Sequence, residues 1–218
     1  MKNLNVTFET WSIADGNYDP FHKGQKVRFA FEMHQPKIRR SIKKQCYLKQ
    51  QKFSDYSFCA KVIGNYAQEG MDGIFLVVDT GCYKIFLLSF HKKFPYQEGE
   101  FIVGKGQITV DYFVWGEQSY KIENVPNIYY DFIIEKIQFV NIPTTYIAET
   151  DDIIISPTSL SSTQFSDIDI VEVDDMADYF ASEEVSEEEN KEESDEKNDD
   201  IIIENSRSFV LFELKLIE

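Results

Sequence analysis

The sequence predicts an all-β fold, or a β-rich one with minor helix, from three observations. Aromatic side chains make up 15% of the 218 residues, with 18 Phe and 12 Tyr, and such side chains are enriched in strands. Apolar and polar residues alternate over several short segments, which is the period of a half-buried strand. Turn sequences that contain glycine separate these segments. Together these observations favour sheets over helices in the first 140 residues.

The predicted strands follow one another at short spacing. They cover residues 27–33, 56–63, 73–79, 83–88, 101–103 and 107–115. The third and fourth strands flank Thr80-Gly81, and two apolar runs around a short turn predict a hairpin. The segment 38–53 is the best helix candidate, but seven Lys and Arg between residues 37 and 52 predict an exposed basic connection instead.

Glycines set the predicted curvature of the sheet. Gly104 and Gly106 follow an apolar run at the spacing where a strand coils sharply or bulges. Curved strands with glycine bends close into barrels more readily than they form flat sandwiches. Five or so such strands therefore predict a small Greek-key barrel that resembles the OB type, with a sandwich-like architecture as the alternative.

Two further strands are predicted at residues 132–140 and 208–216. They are predicted to pair with each other, because an unpaired apolar strand at the end of the chain would promote aggregation. The chain then divides into three parts. These are a β-barrel-like domain at 1–143, an acidic low-complexity and mostly disordered insertion at 144–207, and a terminal strand at 208–218 that returns to the barrel.

Charge is divided unequally along the chain. Residues 1–140 contain 18 Lys and Arg against 15 Asp and Glu, whereas residues 141–218 contain 4 against 23. The formal net charge of −16 is therefore local to the C-terminal part. Residues 182–200 are too polar to order themselves. Residues 165–180 alternate acidic with apolar side chains, a composition typical of segments that fold on a partner.

The sequence predicts a cytoplasmic protein. The first ten residues show neither the basic start nor the apolar run of a secretion signal. Cys46, Cys59 and Cys82 are odd in number and lack CxxC spacing, which favours reduced thiols. No apolar run approaches the ~18 residues that cross a bilayer.

Candidate catalytic and metal motifs are better explained as turns. Residues 77–81 resemble the Asp-Thr-Gly string of the aspartic proteases, but these are also ordinary turn residues between apolar strands. Asp15 resembles the start of a calcium loop, but Pro20 and Lys26 stand where such a loop needs Gly and Glu. The three histidines lack metal-ligand spacing. The sequence therefore predicts a non-enzymatic function, with no catalytic residue, cofactor or metal.

The charge asymmetry favours an interaction protein that binds a basic protein partner. Opposite charge speeds encounter, and the immunity proteins that neutralise basic nuclease toxins are one class that uses an acidic surface. The predicted contacts are the acidic and apolar residues of the alternating segment. They are Asp167, Ile168, Asp169, Ile170, Val171, Glu172, Asp174, Asp175, Asp178 and Phe180.

The alternative is an OB-like single-stranded nucleic-acid-binding protein whose acidic loop regulates access. Lys and Arg neutralise phosphates, and aromatic rings stack on bases. The predicted contacts are Lys37, Arg39, Arg40, Lys43, Lys44, Tyr47 and Phe53. Because the chain carries −16 and charge runs are usually solvated surface, a basic protein partner is preferred over nucleic acid, and no membrane contact is predicted.

Overall fold

The structure is a computed structural model that describes residues 3–66, 74–89, 93–111, 114–120, 122, 124–142, 169–181 and 207–217. The strands are β1 (Asn3–Phe8), β2 (Lys26–Phe29), β3 (Phe31–Arg40), β4 (Tyr47–Lys52), β5 (Asp55–Tyr66), β6 (Ile74–Asp79), β7 (Lys84–Ser89), β8 (Phe101–Val110), β9 (Tyr130–Ile142), β10 (Asp169–Val173) and β11 (Arg207–Leu216). The helices are α1 (Trp11–Ala14) and α2 (Val114–Ser119), and residues 176–181 are also helical.

Five strands close into a barrel in the order β3–β7–β6–β5–β8 and back to β3. β3 pairs with β7 in parallel, and the other four pairings of the ring are antiparallel. An antiparallel meander whose third strand pairs in parallel with a further strand is the connectivity of an OB barrel. Here that further strand, β3, precedes the meander in the chain. The predicted Greek-key, OB-like fold is confirmed.

The sheet continues beyond the barrel on two sides. β4 pairs with β5 on one side, and β1 pairs in parallel with β8 on the other. β1 is followed by β11 and β9, and β9 in turn pairs with both β10 and β2. The predicted pairing of the 132–140 and 208–216 strands is therefore confirmed. In the described part of the chain, the final strand pairs with β1 and β9 and with none of the five barrel strands.

The barrel interior and the extension share one hydrophobic core. Its largest fully buried side chains are aromatic, and they come from both parts. They include Tyr56, Tyr83, Phe31 and Phe58 of the barrel and Phe8, Phe132, Phe139 and Phe212 of the extension. Phe8 of β1 packs on Phe212 of β11 with 5.3 Å between ring centroids. Burial of large rings of this kind supplies most of the apolar area that stabilises such a core.

β3 and β8 approach each other closely at two glycines. A Cβ at Gly104 would lie 2.5 Å from the carbonyl oxygen of Lys37, and one at Gly106 would lie 2.6 Å from the sulfur of Met33. Opposite these glycines the register shifts between His34 and Lys37, so β3 carries one extra residue. Such a bulge increases local twist. The predicted glycine bend is therefore a point of close approach between β3 and β8.

Three predictions from the sequence are wrong in detail. Residues 37–52 are not one connection, because β3 continues to Arg40, β4 begins at Tyr47 and only residues 41–46 link them. The predicted strand 107–115 ends at Val110, and α2 begins at Val114. β1 is missing from the predicted strands, although its alternating apolar side chains are buried.

The predicted disorder falls mainly on residues 143–168 and 182–206, which lie outside the described residues. Between them, residues 169–181 form β10 and the helical segment 176–181. The middle of the predicted insertion is therefore part of the folded structure.

We expect Gly104→Ala to lower the free energy of unfolding by about 1–3 kcal/mol, because the new Cβ meets backbone that cannot rotate away. Gly116→Ala is the matched control. Its Cβ would meet only the Tyr129 hydroxyl at 3.0 Å, the movable end of a side chain, and alanine favours the helix. Urea unfolding of both variants measures the difference. An equal loss of stability in the two variants would contradict the close approach of β3 to β8 at Gly104.

Candidate nucleic-acid interface

The usual ligand face of an OB barrel is covered in this chain. OB barrels bind ligands on the face of their second and third strands, which correspond here to β6 and β7. Phe75 and Phe86 point outward from these strands, because the alternate residues belong to the barrel core. The Trp115 ring of α2 covers them, with 5.3 Å and 5.4 Å between centroids, and is only 1% exposed. The chain itself therefore occupies this face.

Asp111 holds α2 over that face. Its carboxylate accepts the backbone N–H groups of Trp115 at 3.1 Å and Gly116 at 3.3 Å, which have no intrahelical partner at the start of a helix. Burial raises the pKa of Asp111 from the ordinary 3.8 to about 6, and the two N–H donors offset only part of this increase. The cap of α2 is therefore a buried carboxyl group that titrates below neutral pH.

We expect the stability contribution of Asp111 to fall as pH rises. The folded state binds this proton more tightly than the unfolded state, so the contribution is complete below about pH 4 and is lost as pH rises through 6. Asp111→Asn keeps the Oδ1 acceptor but does not titrate. Relative to the natural chain, the free energy of unfolding of this variant should increase by up to about 3 kcal/mol between pH 4 and pH 7. If the difference in unfolding free energy between the variant and the natural chain does not change with pH, the raised pKa of Asp111 is contradicted.

A row of lysines crosses the outer surface of four neighbouring strands, β3, β8, β5 and β4. Lys37 lies opposite Lys105 in the register of the sheet. Lys105 in turn lies opposite Ser57, which lies opposite Lys49. The three lysines are exposed. Because neighbouring strands are about 4.8 Å apart, the row spans about 14 Å.

Other exposed cations extend this row into a basic face. The basic face consists of Lys37, Arg39, Lys43, Lys44, Lys49 and Lys105. Within the described part of the chain, none of the six forms a salt bridge. Like charges directly opposite each other destabilise an antiparallel pair, and Lys37 faces Lys105 in this way. An anion bound between them would relieve that repulsion.

Apolar side chains border the basic face. Tyr47, at the start of β4, is 42% exposed, and Ile42, in the connection before it, is 98% exposed. Phe53 is half-buried at the β4–β5 turn, where its φ is 47°, and the ammonium of Lys52 lies 5.1 Å from its ring centroid. Tyr47 therefore offers the more accessible ring to a base.

Arg40 has a different role from the other cations of the predicted run. Its Nε donates to Glu100 at 3.1 Å, and its guanidinium lies 5.7 Å from the centroid of the Tyr96 ring. It also borders a shallow depression of about 440 Å³, together with Lys44 and the carboxylate of Glu98. Because Glu100 already neutralises Arg40, this predicted contact is engaged within the chain.

The residues predicted to bind a basic protein largely contact the chain itself. Asp167 and Ile168 lie outside the described residues, and Asp169 begins β10. Val171 packs against the main core, and Phe180 lies 5.7 Å from Phe139 between ring centroids. Side chains that pack on their own core are not available as anchors for a partner.

The acidic members of this set also have partners in the chain. Glu172 pairs with Lys136 at 2.6 Å, and Asp174 pairs with Lys23 at 3.0 Å. The carboxylate of Asp175 accepts the N–H of Ala177 at 2.8 Å and caps the helical residues. Ile170 is 41% exposed, and Glu172, Asp174 and Asp178 are also exposed.

The Asp-Thr-Gly string forms the turn between β6 and β7, as predicted. The Asp79 carboxylate accepts the N–H of Gly81 at 2.7 Å. The Thr80 hydroxyl donates to the carbonyl of Tyr83 and accepts its N–H. Among the described residues, no group of three or more His, Cys, Asp or Glu side chains is placed to hold a metal ion.

Comparison with known proteins finds no relative: no family model, no curated protein and no solved structure matches this chain. The described helices include none that is long and apolar enough to cross a membrane. The function is therefore argued from the geometry of the surface.

The predicted contacts omit two members of the basic face, Lys49 and Lys105. Lys49 belongs to the predicted basic run, whereas Lys105 does not. Lys105 lies about fifty residues after the end of the basic run, and only the β3–β8 register brings it beside Lys37. Because Lys105 lies between two glycines in an apolar strand, the sequence indicates that its side chain is exposed. The sequence does not indicate which residue of the neighbouring strand it faces.

Proposed function

We propose that this chain binds single-stranded nucleic acid on its basic face. The observation that carries the proposal is the lysine row, in which Lys37 and Lys105 face each other with Lys49 further along. No described carboxylate forms an ion pair with these three lysines. A phosphate backbone supplies negative charge at a spacing that such a row can follow.

The surroundings of the row favour a single strand over a duplex. Tyr47 is exposed beside the cations, and base stacking on an aromatic ring requires a base that is not already stacked in a duplex. Ile42 offers a second apolar contact at the same edge. Cations that follow the backbone and rings that take bases without regard to sequence are the usual parts of such a surface.

The acidic part of the chain supports a regulatory role in this proposal. The described residues contain 17 Lys and Arg against 18 Asp and Glu, so the folded body is almost neutral. The other residues contain 5 against 20. Tethered anions in this number compete with phosphates for the basic face, and the competition weakens as salt rises.

We expect the double variant Lys37→Gln, Lys105→Gln to bind oligo(dT) about 10- to 30-fold more weakly than the natural chain at 0.1 M salt. Loss of two phosphate contacts should also reduce the slope of log K against log salt by about 1.4. The control is Lys26→Gln, Lys84→Gln, which removes the same charge away from the basic face. Titrations by fluorescence anisotropy would refute the site if both double variants lose affinity equally.

We expect neutralisation of the acidic segment to raise nucleic-acid affinity. In this variant the twelve Asp and Glu residues between 183 and 204 become Asn and Gln, so chain length is kept. Removing competing anions should strengthen oligo(dT) binding most at low salt. Unchanged affinity at low salt would exclude the regulatory role while leaving the binding site itself testable by the lysine variants.

Binding of a basic protein partner, of which toxin immunity is one class-level example, is the second candidate function. The acidic excess of the chain favours it, as does the exposure of Ile170 on β10 at the end of the sheet. Under this candidate a cytoplasmic basic protein binds the acidic segment by charge complementarity. The charge-neutralised variant separates the two functions, because it should lose a basic partner but gain affinity for nucleic acid.

A further inference from the structure

Residues 169–181 form a docked segment with long connections on both sides. Stretches of 26 residues (143–168) and 25 residues (182–206), both outside the described structure, join it to β9 and β11. Within the segment, β10 pairs antiparallel with residues 137–141 of β9. Beyond this pairing, residues 174–180 also contact the rest of the described chain.

A second line of backbone contacts continues the docking beyond β10. The N–H of Lys23 donates to the carbonyl of Asp174 at 2.8 Å, and the N–H of Met176 donates to the carbonyl of Phe21 at 2.9 Å. Met176 is fully buried in the main core. The edge of β9 and residues 21–23 therefore supply the backbone partners of successive parts of the segment. This contact surface is called the docking groove below.

Lysines of the docking groove form ion pairs with acidic side chains of the docked segment. Lys136 of β9 pairs with Glu172 at 2.6 Å, and Lys23 pairs with Asp174 at 3.0 Å. Exposed pairs of this kind add little stability. They do disfavour segments that carry cations at the same positions, so they select for acidic ones.

Aromatic contacts fix the far end of the segment. Tyr179 stacks on Phe139 with 3.6 Å between ring centroids and 10° between ring planes. Phe180 meets the same ring edge-on at 5.7 Å. The docking groove thus contacts three features of the segment in order: an extended strand, acidic side chains along it, and an aromatic helical turn.

We propose that the docking groove is a recognition site for acidic strand–helix peptides of a partner protein, and that residues 169–181 fill it in cis as a tethered competitor. Strand addition to a sheet edge supplies affinity, and side-chain pockets supply specificity. A partner peptide with acids facing Lys23 and Lys136 and an aromatic residue over Phe139 makes the same contacts. This site uses different residues from the basic face, so it stands apart from the proposed function.

The test uses a fluorescent peptide of residues 168–181 with the full-length chain. Tyr179→Ala, Phe180→Ala weakens the tethered competitor while leaving Met176 in the core. Because a tethered segment competes at an effective concentration on the order of millimolar, this variant should bind the peptide at least about tenfold more tightly than the natural chain. Adding Lys136→Glu should reduce that affinity about tenfold. In one control a scrambled peptide replaces the peptide of residues 168–181. In the other, Asp178→Ala replaces the Tyr179→Ala, Phe180→Ala variant.

Three results would overturn the proposal. One is equal peptide affinity for the natural chain and for a Tyr179→Ala, Phe180→Ala variant that circular dichroism shows to be folded. Another is equal binding of the scrambled peptide. The third concerns native-state hydrogen exchange of the natural chain. The proposal expects the amides of β10 to open at lower free energy than those of β11. If both strands exchange only through global unfolding, the docked segment is an integral strand that cannot be displaced, and the proposal is wrong.

Discussion

The close approach of β3 to β8 is the constraint on which the barrel and its surface depend. Only residues without a side chain fit at Gly104 and Gly106, because a Cβ would meet the neighbouring strand at 2.5–2.6 Å. The register of this pair places Lys37 opposite Lys105. The same alternation that turns glycine inward turns lysine outward. The close approach of the two strands and the charge of the basic face thus both involve one three-residue stretch of β8, Gly104 to Gly106.

A second constraint closes the usual ligand face of an OB barrel in this chain. The outer side of β6 and β7 carries large apolar side chains, and Trp115 covers them. Exposing a tryptophan and its neighbours to water would be strongly unfavourable. The surface that stays open for the proposed ligand is the opposite side of the ring, where β4 widens the sheet. There the exposed side chains include the cations of the basic face, Tyr47 and Ile42, and they do not form a closed apolar layer.

The sequence predicts the parts of this fold that depend on local pattern. Alternation and the Thr80-Gly81 turn locate the β6–β7 hairpin, and two apolar runs identify β9 and β11 as partners. It does not predict α2, because the apolar alternation of a strand runs on past Val110 and only the buried cap at Asp111 breaks it. It cannot predict the register that brings Lys105 to Lys37, since that depends on contacts between residues distant in the chain. The docked segment shows a third limit. Its composition predicts folding on a partner, and the structure shows it folded on its own body.

Photo-crosslinking maps the ligand surface most directly. A single-stranded oligonucleotide that contains 5-iododeoxyuridine would be irradiated with the full-length chain, and the cross-linked peptides identified by mass spectrometry. The account predicts cross-links at Tyr47 and in the peptides of β3, β4 and β8 that carry the basic face. Cross-links confined to α2 or to β6 and β7, or none at low salt in the charge-neutralised chain, would contradict it.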